Sequence, residues 1–363
     1  MKGKERVLCA MRRNQPDCVP VLPQIWLDHA ARISGIDPLS IIEHPELGYE
    51  AMLITARYYG LDGFRTFLIY EPRRVVRDRD KVYELDMKTG EKIGLVDMEG
   101  GWQVKPFELP HYVQNEYDVA GILVPTAQSY WDDGRCRHLQ RVVQEAGENH
   151  LVVGRALLFT MNWLLTQRGE AALYDLHDQP RLVHALFEKG LQIAIEATRA
   201  MRIAGVEVFY LGDAAASCDV ISPKHFREFV FPYYQRYCAE VHGLGALVYV
   251  HICGNQTPLA EMLADAGVDC IEPMDPSGGV DPADMKRRVG HRVALMGGVS
   301  TLTMLRGTPQ EVAEEGRQCI RKAGRDGGYI LAAGCMVPRD TPEGNIRALV
   351  NTAHEFGRYP LAA

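Results

Sequence analysis

After residue 205 the chain alternates, at fairly even intervals, between short β-rich runs and helical stretches. The runs cover residues 206–211, 247–251, 269–272, 293–296 and 329–332. Strands that take turns with helices read as parallel βαβ units, because a parallel neighbour can be reached only through a crossover. The helices between them carry start signals. Ser222-Pro223, Thr308-Pro309 and Thr341-Pro342 each place a hydroxyl N-cap before a proline at the first helical position, and Glu311 completes a capping box with Thr308. In the N-terminal half, residues 19–22, 63–67 and 151–154 are further candidate strands. The total of eight predicts a (β/α)8 TIM barrel. At 363 residues the chain lies within the range of one such barrel with insertions, so residues 1–363 read as a single domain. Residues 70–107 predict a β-meander inserted between the second and third strands, with its hairpin turn at Asp86-Met-Lys-Thr-Gly-Glu.

Composition narrows the function. Apolar residues make up 47% and charged ones 24%, which predicts an ordinary globular protein with a sizeable core. A formal charge of −7 excludes a phosphate-backbone binder, so no nucleic acid partner is expected. The one basic run, Arg73 to Arg79, is interrupted by other residues and reads as a solvated face. The opening Met1-Lys-Gly-Lys-Glu-Arg lacks an apolar core, and no run of about 18 apolar residues follows, so neither export nor a membrane is expected and the location reads as cytoplasmic. Nine cysteines without paired spacing then read as free thiols, important only as ligands or nucleophiles.

In a barrel the functional face is the one at the carboxyl ends of the strands. Val250-His-Ile-Cys-Gly-Asn ends the fifth predicted strand, and residues i and i+2 of a strand point the same way, so His251 and Cys253 present an imidazole and a thiol from one strand end. The eighth strand ends at Gly334-Cys335, near enough around the rim for Cys335 to converge on them. One nitrogen and two sulfurs suit Zn²⁺ with a fourth position open, which is the mark of a catalytic site. Taken singly, each of the three is more readily an ordinary strand-end or turn residue, since free cysteine is among the most buried types. Asp213 ends the fourth strand and is a candidate for touching substrate or a ligand's outer shell. Glu272, on the strand beside the His-Cys pair, is a candidate displaceable fourth ligand. Asp28 and His29 follow the first strand and could reach the pocket, whereas Cys218, Cys238 and Cys270 read as packing.

Residues 250–255 and the stretch Ala332-Ala-Gly-Cys335-Met-Val-Pro-Arg-Asp-Thr-Pro-Glu-Gly-Asn resemble the uroporphyrinogen decarboxylase superfamily. They resemble more closely its branch of zinc-dependent methyltransferases, typified by the methylcorrinoid:coenzyme M enzymes of methanogens. Residues 212–233 are similar to the family's aspartate loop and Ser-Pro-capped helix, and Lys4-Glu-Arg-Val-Leu-Cys-Ala-Met resembles its opening helix. The resemblance covers about residues 200–355 and implies His251, Cys253 and Cys335 as zinc ligands.

Two departures count against the decarboxylases proper. Where those carry a Met-Arg-Gln-Ala-Gly-Arg motif that holds carboxylates, this chain reads Trp26-Leu-Asp-His-Ala-Ala-Arg32, and where they carry a catalytic aspartate the corresponding region reads Arg65-Thr-Phe-Leu-Ile-Tyr. The resemblance therefore implies methyl transfer between a corrinoid (cobalamin-type) cofactor and a thiol or small methylated substrate. The corrinoid would ride on a partner protein, because the Asp-x-His-x-x-Gly signature of cobalt-ligating domains is absent. The alternatives are uroporphyrinogen decarboxylase itself, which needs no metal, and a non-catalytic binding member of the superfamily.

Overall fold

In chain order the strands are β1 (Gly63–Thr66), four strands of an insertion, β2 (Arg74–Asp78), β3 (Lys81–Leu85), β4 (Lys92–Asp97) and β5 (Gln103–Pro106), and then β6 (Leu151–Arg155), β7 (Val208–Gly212), β8 (Leu247–His251), β9 (Cys270–Glu272), β10 (Ala294–Val299) and β11 (Tyr329–Ala333). They are seen in a computed structural model that describes residues 1–66, 73–99, 101–108 and 112–361. β1 and β6 to β11 form one curled sheet in sequential order, parallel at every pairing.

The two edges of that sheet are joined by residues 19–24. Val21 and Gln24 bridge in parallel to Leu331 and Met336, Leu331 N–H donates to Pro20 O at 2.8 Å, and Asp62 N–H donates to Val21 O at 3.1 Å. This segment fills the eighth place in the ring. It is not the regular strand expected over 19–22, and the reason is chemical: Pro20 and Pro23 have no N–H to give to a ladder, so the pairing shrinks to isolated bridges. The buried Asp62 carboxylate supplies part of what the ladder lacks. It accepts from Val21 N–H at 2.7 Å and from Arg6 Nη1 at 2.5 Å.

The other predicted strands stand within two residues of their expected limits, except that β10 runs three residues further than expected, to Val299. Phe67, the last residue of the second predicted strand, lies outside the described residues. The meander is observed as an antiparallel sheet in the order β2-β3-β4-β5, apart from residues 70–72 and Gly100, which also lie outside them. Its turn is built by Asp86, whose Oδ1 accepts from Lys88 and Thr89 N–H, with Gly90 in the left-handed region at φ +74°. Val82, Val96 and Trp102 of this insertion join the apolar cluster that also holds Ile41, Ile42 and Met52.

Ser222 and Thr308 cap their helices as expected, the latter in a complete capping box. Thr341 does not. The third helix runs Glu343–Phe356, one residue later than a Thr341 cap requires, with Pro342 at its N-cap.

Just before its last residue, Val299, β10 carries two glycines that no other residue could replace without strain. Gly297 and Gly298 have φ of +118° and +125°, and a Cβ at Gly298 would stand 2.5 Å from Cys319 Sγ. Gly298→Ala should therefore lower stability by roughly 2–3 kcal/mol, read from the midpoint of denaturant unfolding. A midpoint equal to wild type would show that the strand end can relax and that this account of the glycine is wrong.

Candidate metal centre

β8 is apolar and buried from Val248 to Val250, then ends in His251, with Cys253 two residues on. The chain turns away at Gly254, where φ is +84° and a Cβ would come within 2.2 Å of Asp219 Oδ2. β11 ends at Ala333, and Gly334 carries the chain to Cys335 across the mouth. The three side chains meet. His251 Nε2 lies 2.8 Å from Cys253 Sγ and 3.6 Å from Cys335 Sγ, and the two sulfurs are 3.4 Å apart. Among the described residues this is the one group of three or more such side chains whose ligand atoms could share a metal ion.

The donor set fits Zn²⁺. Ligands on a tetrahedral zinc stand about 3.8 Å apart for two sulfurs and about 3.5 Å for sulfur and nitrogen, so one contact would open by less than about 1 Å and the others are nearly in place. The three groups share protons unequally, so a cation bound by them would displace protons from Cys253 and His251. Cys335 is drawn well below the ordinary thiol range by hydrogen bonds from Cys253 and His251, while Cys253 is held above it by the neighbouring Cys335 and by burial. Burial opposes a charge on His251, yet Tyr210, the Glu272 carboxylate and the two sulfurs raise its pKa well above the usual value.

Behind the imidazole, His251 Nδ1 meets Glu272 Oε2 at 3.0 Å, and Glu272 is paired on its other oxygen with Arg65 Nη2. Burial would push the Glu272 carboxyl up, but Arg65 and His251 together hold it below the ordinary carboxylate range. The arrangement is a carboxylate–histidine pair of the kind that fixes which ring nitrogen faces a metal. Glu272 thus stands on the far side of the ring from the sulfurs. The expectation that it supplies a fourth ligand does not fit this placement, because register sets it beside His251 on the adjoining strand, with its carboxylate at Nδ1.

Asp213 is also buried, but it faces a helix and not the cluster. Its carboxylate accepts from Thr160 Oγ1, from Asn162 N–H at 2.7 Å, from Met161 N–H at 3.2 Å and from Tyr234 OH at 3.2 Å, which caps the helix Met161–Arg168. Those bonds occupy the oxygens that the expected contact with substrate or a ligand's outer shell would need. His29 is spent as well, on Tyr59 OH at 3.0 Å and Arg339 O at 2.9 Å. Asp28 lines a cleft discussed below. Cys270 and Cys238 are buried in the core and Cys218 packs against it, as expected.

Sequence reasoning passed over Arg65, Tyr210 and Tyr249. The guanidinium of Arg65 lies 4.5 Å from the Tyr210 ring centre and 5.1 Å from that of Tyr249, and Tyr210 sets its edge against His251. The signal was there: an arginine inside the apolar run Gly63-Phe-Arg-Thr-Phe-Leu requires a buried partner.

The family model for uroporphyrinogen decarboxylase (URO-D) matches residues 158–356, more than half of the chain. The chain belongs to the uroporphyrinogen decarboxylase family. Within it, the sequence resembles the methyltransferase branch. Methylcobamide:CoM methyltransferase MtaA of Methanosarcina barkeri is 34% identical over 177 residues, which is 47% of this chain and 49% of that protein. The chain thus spans about half the length of this curated relative. Uroporphyrinogen decarboxylase of Actinobacillus pleuropneumoniae serotype 5b (strain L20) aligns over 98% of this chain and 97% of its own length at 23% identity. A solved methyltransferase from Methanosarcina mazei superposes with a TM-score of 0.76 over 98% of this chain and 99% of its own, at 22% identity, and so shares the fold.

Removing Arg65 strands a buried carboxylate. Arg65→Met should destabilise the family fold here by roughly 3–5 kcal/mol, and the double variant Arg65→Met/Glu272→Gln should recover most of that loss. Denaturant unfolding of the three proteins checks it. If the double variant were no better than the single, the ion pair would not be what Arg65 contributes.

Proposed function

We propose that the chain, acting as one barrel domain with its insertion, is a zinc-dependent methyltransferase. It would move a methyl group between a corrinoid held by a separate protein and a thiol or small methylated molecule. The observation that carries the reading is the convergence of His251, Cys253 and Cys335 at the barrel mouth, with Glu272 fixing the ring of His251 from behind. The similarity to a methylcobamide:CoM methyltransferase supports it.

Zinc bound to these residues would supply a positive centre that keeps a thiol deprotonated near neutral pH or withdraws electrons from a methylated heteroatom. The chain's own residues set the conditions for that chemistry. Two sulfur donors give an electron-rich ligand set, which leaves a bound thiolate nucleophilic where three histidines would favour water activation. Glu272 and Arg65 hold His251 with Nε2 turned to the sulfurs, and the Tyr210 and Tyr249 rings lie against the Arg65 guanidinium. In the thiol-accepting direction the acceptor's thiolate would take the methyl group into a new S–C bond, and the pair of the Co–C bond would stay with the cobalt of the partner protein.

The rival reading is uroporphyrinogen decarboxylation, favoured by the full-length alignment to a decarboxylase. Two placements weigh against it. Arg65 is buried on Glu272 and presents no guanidinium to a substrate's carboxylates, and Arg32 already gives Nη2 to Thr341 O at 3.0 Å, so no pair of free arginines stands ready for them. The decarboxylase reading also leaves the His-Cys-Cys cluster without a task.

Elemental analysis of anaerobically purified protein should find about one zinc per chain, falling sharply in Cys335→Ser while the far-ultraviolet dichroism stays that of wild type. Folded wild type that holds no transition metal even after reconstitution would sink the proposal.

The reaction has its own test. With methylcobalamin and a panel of thiols, or in reverse with Co(I) cobalamin and methylated donors, the protein should catalyse methyl exchange visible as the change in cobalamin absorption. The Cys253→Ser variant should be slower by about a hundredfold or more. Equal rates for the two proteins across the panel would remove the metal cluster from the reaction.

A further inference from the structure

A cleft of about 430 Å³ opens between the insertion and the start of the barrel. Trp26, Leu27, Ile41, Ile42 and Pro45 line it together with Trp102 of the β4–β5 loop and Met336. Met336 directly follows Cys335, so one lining residue is about 3.8 Å of backbone from a member of the cluster.

Four charged residues also line the cleft, and they are what selects its occupant. Arg73, Arg339, Asp28 and Glu99 sum to zero. The two arginines are committed elsewhere: Arg73 Nη2 donates to Trp102 O at 3.2 Å and sits 3.8 Å from Glu84, and Arg339 Nη1 donates to Met98 O at 3.3 Å and its Nε to Asp340 at 3.4 Å. Arg339 thus straps the β4–β5 loop to the barrel, whereas the side-chain contacts of Arg73 lie within the insertion. With the four charges cancelling and both guanidiniums already partly engaged, an anion entering the cleft would gain no net attraction. A cation is no better placed, because the Arg155 guanidinium already lies 5.8 Å from the Trp26 ring centre. What the walls favour is an uncharged ring lying against indole and aliphatic surface, with the carboxylates available to a hydroxyl or N–H donor.

Trp102 adds an independent observation. It is 8% exposed and has φ of +63°, a conformation that a large side chain adopts only under constraint. The loop therefore holds an indole in the cleft wall at a conformational cost that glycine would avoid.

We infer that this cleft is the site of the small-molecule partner in methyl transfer, and that the molecule is neutral and ring-bearing, not a short anionic thiol. The inference rests on the methyl-transfer reading above.

Isothermal titration calorimetry of the full-length, metal-loaded protein tests it with three probes: 2-methoxyphenol as the neutral ring, 2-mercaptoethanesulfonate as the anionic thiol and tetramethylammonium as the cation. The neutral ring should bind at least about tenfold more tightly than either ion. Trp102→Ala should weaken it by about tenfold or more, with Trp102→Phe restoring most of the affinity. Because Trp102→Ala can disturb its loop, Met336→Trp, which fills the cleft from its exposed end, should also abolish binding. Failure of 2-methoxyphenol to bind, tighter binding of either ion, or affinity unchanged in both Trp102→Ala and Met336→Trp would overturn the inference. The calorimetric readout requires no turnover, so zinc content and methyl exchange measured on the same samples judge the proposed function separately.

Discussion

A single carboxylate sealed inside the barrel organises the centre of this protein. Glu272 is fully buried, and an isolated charge there would be untenable. It is tolerated because Arg65 reaches across from β1 on one side and His251 approaches from β8 on the other. The three residues come from strands that are not all neighbours, so the chain of charge can form only once the sheet has curled. In return it ties the interior of the ring to one imidazole orientation. Cys253 and Cys335 then need only arrive at the rim.

The ring itself depends on a less regular device. Residues 19–24 join β1 to β11 through a few backbone hydrogen bonds and the Asp62 carboxylate, where an ordinary strand would have offered a full ladder. Burial pushes the Asp62 carboxyl up, and the donors Arg6 and Val21 oppose this. The same segment delivers Gln24 beside Met336 and Trp26 into the cleft, so the irregular place in the ring is also the one nearest the mouth.

How much of this was legible in the sequence follows from where each signal resides. β8 was readable residue by residue, because an apolar run that ends in His-x-Cys changes character at one step. The meander was readable from its Asp86 turn. The cluster was readable because strand alternation and barrel closure both depend only on order along the chain. Side-chain direction was harder. Glu272 and Asp213 sit at strand ends, as expected, yet one turns to the back of His251 and the other to a helix N-terminus, and neither choice is written in spacing. Thr341 fails as a cap for a similar reason: the helix starts after Pro342, and the buried Oγ1 of Thr341 accepts from none of its N–H groups. Proline explains the remaining difference, since two of them in six residues leave segment 19–24 extended but unladdered.

The insertion leaves the barrel after β1 and the chain rejoins it at β6, and those two strands remain paired in unbroken register from Gly63↔Leu151 to Thr66↔Gly154. Nothing in the ring's geometry records how long the excursion is. The metal-ligating candidates, meanwhile, come from β8 and β11, far along the chain from it. Loop entropy grows only slowly with length, so the excursion could be lengthened or trimmed at little cost to the strands that bear the His-Cys-Cys cluster. In such a molecule, the reach of the insertion and the alignment of the cluster are set independently.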